Sequence, residues 1–89
     1  MRAFRTTGRF EKDFKLSIKR GKDVSKLRAV MRALVQEVPL DPRLRDHALK
    51  GEFAERRECH IEPDWLLIYK LEPGVVVFER TGTHSDLFE

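Results

Sequence analysis

Apolar positions recur with two different periods along the chain, and the change of period divides it in two. Residues 2–6 alternate polar and apolar around Phe4, the two-residue period of a short strand. From about Thr7 to Arg20, Phe10, Phe14 and Ile18 return at every fourth position, which sets them along one helical stripe, and Gly21 supplies a stop. A second helix runs from about Val24 to Glu37. There Val24, Leu27, Val30, Met31, Leu34, Val35 and Val38 keep the 3.6-residue period, Asp23 can cap the start, and Pro39 and Pro42 forbid continuation. Only Gly21, Lys22 and Asp23 separate the two helices, which should form a hairpin with both apolar faces turned the same way. Such a pair needs a sheet to cover.

The second half supplies that sheet. After a polar, proline-containing connection over residues 39–46 and a turn at Gly51, the segment Arg56 to Glu62 alternates. Arg57, Cys59 and Ile61 fall on one face, and Glu58, His60 and Glu62 on the other. Pro63 breaks the ladder. Asp64 to Leu71 and Val75 to Arg80 are rich in β-branched and aromatic residues and are joined by Glu72-Pro73-Gly74, a hairpin signal. Strand, helix, helix, then a meander of strands is an α+β order, expected as a single domain over residues 1–89.

Composition narrows the classes. A chain of 89 residues has no room for separate cofactor and substrate domains. With 40% hydrophobic and 37% charged residues it can bury one modest core. The apolar runs Trp65 to Tyr69 and Val75 to Phe78 fall far short of the roughly 20 residues of a membrane span. Met1-Arg2-Ala3-Phe4-Arg5 has no apolar secretion signal, and the one cysteine cannot staple a secreted scaffold, so the expected address is the cytoplasm. Charge is lopsided: residues 1–50 hold 14 Lys/Arg against 6 Asp/Glu, and residues 51–89 hold 4 against 9. The basic half suits a polyanion, either RNA or an acidic protein segment. No basic recognition helix in helix-turn-helix order is evident, which speaks against a DNA-binding domain.

The candidate chemistry lies late in the chain. His47, His60 and His84 are its three histidines, and a lone histidine is more often a satisfied structural residue than a catalyst. Their placement changes that weight. If the helices cover the Cys59/Ile61 face, His60 is left on the open face, where loops and strand ends can bring His47, Asp64 and His84 to it. A metal is disfavoured by spacing: Cys59 and His60 point to opposite faces, and there is no Cys-x-x-Cys or His-x-x-x-His pair. Cys59 itself is packed with Ile61 and should be inert. General acid–base cleavage of RNA fits better. RNA carries its own 2′-hydroxyl nucleophile, so a base, an acid and a cation for the phosphorane suffice, with no cofactor. Arg80 can hold a phosphate, and Trp65 and Phe88 offer faces on which a base could stack, with stacking and core packing of about equal weight for Trp65. The alternative for Arg80 is a structural ion pair with Glu79 or Asp64, and its neighbours favour the phosphate role. Strict alternation sets Arg80 on the face of Phe78 and Val76, so a bulge or a strand end near Glu79 must intervene if Arg80 is in the site.

Three strings carry a resemblance. Asp46-His47-Ala48-Leu49-Lys50-Gly51, the stretch Cys59 to Lys70 with its His60-Ile61-Glu62-Pro63-Asp64-Trp65, and Phe78-Glu79-Arg80-Thr81-Gly82-Thr83-His84 closely resemble the YafQ branch of the RelE-like toxins of bacterial type II toxin-antitoxin systems. The length and element order match as well. The resemblance implies a RelE-like, microbial-RNase-like α+β fold, with two N-terminal helices packed on an antiparallel or mixed sheet. It implies a toxin that enters the ribosomal A site and cuts messenger RNA. Carried over by motif, His47, His60, Asp64 and His84 are the catalytic group, Arg80 binds the scissile phosphate, and Phe88 helps to seat the RNA. In that assignment His84 is the general acid, His60 or His47 the base, and Asp64 orients a histidine or shares the base role. The family also implies a DinJ-like antitoxin that holds the toxin inactive, and contact with operator DNA only through that antitoxin. The competing expectation is a catalytically silent module that only binds its antitoxin, which gives no reason for this set of proton-transfer groups. Glu52, Glu55, Glu58, Glu62, Glu72 and Glu79 make the second half acidic, so either most of them face away or the ribosome supplies the affinity for RNA.

Overall fold

The computed structural model describes residues 1–88. Strand β1 (Ala3–Thr6) leads into helices α1 (Gly8–Lys19) and α2 (Val24–Val35), and a 3-10 turn at Pro42–Leu44 precedes the two-residue strand β2 (His47–Ala48). A second 3-10 turn (Gly51–Phe53) leads to β3 (Arg56–Glu62), β4 (Trp65–Glu72), β5 (Val75–Gly82) and the short helix α3 (His84–Phe88). The five strands form one sheet in the order β1-β5-β4-β3-β2, with β1 parallel to β5 and the other neighbours antiparallel. This is the α+β arrangement read from the chain, with a mixed sheet. No helix among the described residues is long and apolar enough to cross a membrane.

Local chemistry accounts for the helices. The Thr7 hydroxyl accepts from the Phe10 amide and opens α1, and Gly21, at φ +76°, turns the chain after it. Asp23 accepts from the Ser25 amide and opens α2, which ends at Val35, two residues before the expected Glu37. Both helices lie on one sheet face. Phe10, Leu27, Val30 and Leu34 pack there with Cys59, Trp65, Leu67, Tyr69, Val76 and Phe78 in the main core. The stripe on α1 differs from expectation: Ile18 is half exposed and Ser17 is buried in its place. Each step of four residues overshoots a full turn by about 40°, so two steps from Phe10 rotate Ile18 away, whereas Ser17 comes back under it. Its hydroxyl is satisfied by the Asp13 carbonyl at 3.0 Å.

Helix α1 also closes the edge that β1 leaves open. The parallel ladder ends at Thr6 and Phe78. Beyond it the Thr7 amide donates to the Phe78 carbonyl (3.1 Å), the Thr7 hydroxyl to the Glu79 carbonyl (2.8 Å), and the Thr81 amide to the Asp13 carboxylate (3.2 Å). Side chains of the helix thus complete the hydrogen bonding of β5 where no strand remains to do so. In the same stretch Ile68 pairs with Arg80 but Tyr69 with Phe78, which leaves Glu79 as a bulge. Phe78 therefore joins the main core, while Arg80 stands opposite Ile68, a residue of the smaller cluster formed by Leu66, Ile68 and Leu87 under α3.

Candidate active site

The face away from α1 and α2 carries a row of rings. His47 comes from β2, His60 from β3, and His84 and Phe88 from α3. Ring centroids are 6.3 Å apart for His47 and His60, 5.8 Å for His60 and His84, and 6.4 Å for His84 and Phe88. Phe53 continues the row, edge-on to Phe88 at 5.5 Å. Alternation explains the placement: His47 pairs with Glu58 across the β2–β3 ladder, and Glu58 and His60 are two residues apart on one strand.

Each imidazole has one nitrogen committed. His47 Nδ1 lies 2.7 Å from the Arg45 carbonyl, which can only accept, so that nitrogen carries the hydrogen and Nε2 is left free. His60 Nε2 lies 3.1 Å from Glu58 Oε1. His84 Nδ1 donates to Asp64 Oδ1 at 2.6 Å, and the His84 backbone amide donates to the same oxygen at 2.9 Å. Those two bonds, the backbone one foremost, hold the Asp64 carboxyl below its usual range, so it is ionised at neutral pH. Asp64 sits in the turn between β3 and β4 and joins the row through His84.

The first residue of α3 is His84, and a reciprocal cap fixes the helix. The Thr83 amide donates to Asp86 Oδ2 (2.9 Å) and the Asp86 amide to the Thr83 hydroxyl (3.1 Å). Arg20, at the end of α1, grips the same carboxylate at 2.6 and 3.2 Å, and this is the main reason the Asp86 carboxyl is held far below its ordinary range. Gly82 lies against this cap, because a Cβ there would stand 2.8 Å from Asp86 Oδ2 and 3.0 Å from Asp86 Cβ. Gly82→Ala is expected to push Asp86 out of its cap and to destabilise the fold by about 1–3 kcal/mol. Urea unfolding measures the loss, and an unchanged midpoint would count against the capping account.

Arg80 is paired, but with neither Glu79 nor Asp64. Its Nε and one Nη take Asp13 of α1 at 2.7 and 3.3 Å, and the guanidinium lines a groove of about 620 Å³ that includes Arg9, Phe53, Arg56 and Phe88. Trp65 does not belong to the site. It is 1% exposed on the helix-covered face, in line with Leu67 and Tyr69, and its indole N–H donates to the Thr81 hydroxyl at 3.0 Å. No base can stack on it. Cys59 is fully buried, and burial pushes its thiol up to about 12, which leaves an inert packing residue.

Sequence reasoning passed over Glu58. It is 6% exposed beneath His60, and its place on the same face of β3 was the available signal. Glu58, His60 and His84 can each bring one ligand atom within 4.8 Å of the others, a donor set suited to a zinc or copper ion. The spacing argument against a metal weighed neighbours in sequence, whereas His84 reaches His60 through the fold. The acidic second half is also resolved in space. Glu62 pairs with Lys22 and Lys26, Glu72 with Arg5, and Glu79 with Arg56.

Known proteins share the family and the fold. The family model described as "Bacterial toxin of type II toxin-antitoxin system, YafQ" matches residues 2–89. The mRNA interferase toxin YafQ of Escherichia coli strain K12 is 47% identical over 83 residues, covering 92% of this chain and 90% of that protein. YafQ in the crystal structure of the E. coli DinJ-YafQ complex superposes with a TM-score of 0.93 at 44% identity, over the full length of both chains. The metal-bound toxin from Helicobacter pylori superposes with a TM-score of 0.92 at 40% identity, over 99% of this chain and 100% of that one. The chain belongs to the YafQ family of bacterial toxins of type II toxin-antitoxin systems.

Proposed function

We propose that this chain is an endoribonuclease that cuts messenger RNA in the ribosomal A site by metal-independent acid–base catalysis, so halting translation in the cytoplasm, and that a DinJ-like antitoxin neutralises it. The observation that carries the reading is the row of three imidazoles on one open face, each with one ring nitrogen 2.6 to 3.1 Å from an oxygen acceptor. The name of the E. coli relative and its complex with DinJ support the substrate and the partner. Contact with operator DNA would come through the antitoxin.

The chemistry follows from RNA itself. The 2′-oxygen attacks phosphorus and gives its proton to His47 Nε2 or His60 Nδ1. The bond from phosphorus to the 5′-oxygen then breaks, and His84 Nε2 delivers a proton to that oxygen, leaving a 2′,3′-cyclic phosphate and a 5′-hydroxyl. His84 acts in its imidazolium form, with the Nδ1 hydrogen donated to the Asp64 carboxylate and the transferable proton on Nε2. Arg80, aligned by Asp13, offers its remaining N–H groups to the phosphate oxygens, and the half-exposed Phe88 receives a base.

A metal held by Glu58, His60 and His84 would act as a Lewis acid toward a phosphate. The proposed route needs none, because imidazoles carry both proton transfers, and an ion bound to His60 and His84 would compete with them. Primer-extension mapping in a translating extract tests the proposal, with parallel reactions lacking ribosomes, containing chelator, or containing added zinc. Codon-phased cuts that need ribosomes, survive chelator and weaken with zinc are expected. Efficient cutting of naked RNA would refute ribosome dependence, and loss of cutting in chelator would refute the metal-free route.

A further inference from the structure

His47 lies in a strand of two residues, held to β3 by two register pairs, His47 with Glu58 and Ala48 with Arg57. The segment before it has only the short turn at Pro42–Leu44. A strand of this length cannot by itself hold an exposed imidazole in one orientation, yet the His47 ring is tied to the Arg45 carbonyl at 2.7 Å. That carbonyl has its own unusual support. Arg45 adopts the left-handed conformation, φ 53° and ψ 43°, which is uncommon for a residue other than glycine, and its amide donates to the Pro42 carbonyl at 3.1 Å.

What pins the backbone between Arg45 and His47 is on the other side of the sheet. Asp46 points away from its neighbour into the helix-covered face. There its Oδ1 accepts from Arg57 Nε at 2.9 Å and its Oδ2 from the hydroxyl of Tyr69. Tyr69 is 1% exposed in the main core and pairs across the ladder with Arg57, so both donors stand on rigid strands. Burial, then the Asp46 carboxylate, raises the Tyr69 hydroxyl well above its ordinary range, and it stays a donor.

We infer that Asp46 is a positioning residue for His47: clamped through the sheet by Tyr69 and Arg57, it fixes the left-handed turn at Arg45 whose carbonyl keeps the hydrogen on His47 Nδ1 and the free electron pair on Nε2. The catalytic use of that electron pair rests on the ribonuclease reading above. The clamp does not.

Long-range proton–nitrogen NMR on the nitrogen-labelled full chain tests the inference, without RNA and at a pH where the rings are neutral. Wild-type protein should show His47 with its hydrogen on Nδ1. Asp46→Ala should give a mixture of the two tautomers for His47 and leave His84 unchanged, and Tyr69→Phe, which removes one clamp bond and little volume, should shift His47 part of the way. Asp46→Asn, able to accept from Arg57, should restore most of the wild-type pattern. In cleavage assays Asp46→Ala should lose about 10-fold in rate in the wild-type background and nothing further in a His47→Ala background. A folded Tyr69→Phe or Asp46→Ala protein with an unaltered His47 tautomer overturns the inference, as does a rate loss that persists in full without His47. Absence of cleavage in every form would overturn the ribonuclease reading, while the position of the His47 hydrogen would still decide this one.

Discussion

Replacing His84 by alanine is expected to lower the rate of messenger RNA cleavage by about 100-fold or more while leaving the fold intact. The magnitude follows from the role: with no proton donor at the 5′-oxygen, the leaving group must depart as an alkoxide. The fold should survive because the side chain is 52% exposed, and the backbone amide that anchors Asp64 stays in place. The loss should fall on the maximal single-turnover rate rather than on the concentration of toxin needed for half-saturation, since His84 acts on the transition state and contributes little ground-state binding. Asp64→Asn should fall between His84→Ala and wild type, because the backbone bond to His84 can persist while the negative charge facing the protonated ring is gone. Thermal unfolding of each variant separates chemistry from folding. Near-normal cleavage by a folded His84→Ala protein would remove His84 as the acid.

Trp65→Ala should be the most destabilising single change at the site's edge, costing about 3–5 kcal/mol from the lost indole and the cavity it leaves. Small domains have about 5–15 kcal/mol in total, so much of the margin would go. The indole is fully buried among Leu67, Tyr69 and the helices, and it also gives up its hydrogen bond to Thr81, whose hydroxyl in turn donates to the Leu66 carbonyl at 2.7 Å. Trp65→Phe keeps most of the apolar area and loses the indole N–H, so about 1 kcal/mol is expected. Urea titration measures both. A role in stacking RNA makes the opposite prediction, with unchanged stability and weakened substrate binding, and that result would reverse the assignment of Trp65 to the core.

Much of the site was legible because alternation along a strand is a local property. The pattern Arg56 to Glu62 places His60 and Glu58 on one face and Cys59 on the other whatever the neighbours are. A break in alternation near Glu79, by a bulge or a strand end, follows from the sequence, because Phe78 is too apolar to face water and Arg80 too polar for the core, and the register decides for the bulge. Trp65 could not be decided in the same way. Its flanks read as strand in either case, and which face the helices cover depends on packing between segments far apart in the chain. Glu58 was passed over for a related reason: a carboxylate alternating with a histidine reads as a solvated face until the ring row and α3 are seen to cover it.

Charge shows the division most plainly. The excess of Lys and Arg in residues 1–50 is a fact of composition, and taken alone it suggests a surface for polyanions. In the folded chain Arg5, Arg20, Lys22 and Lys26 reach carboxylates 36 to 67 residues away, at Glu72, Asp86 and Glu62. Part of the apparent polyanion site is thus internal counter-charge for the acidic half. Asp13 does the reverse, taking Arg80 and the Thr81 amide at the edge of β5.

By itself the sequence determined what depends on near neighbours: the helix starts at Thr7 and Asp23, the two periods, the faces of β3, and the candidate proton-transfer groups. Only the tertiary structure decided what depends on distant ones. It set the order of five strands, the burial of Trp65, the pairing of Arg80 with Asp13, and the convergence of His47, His60 and His84 within one row. The physical reason is range. Backbone hydrogen bonds within a helix and side-chain alternation along a strand act over a few residues, whereas burial and ion pairing are settled when segments dozens of residues apart compete for the same face.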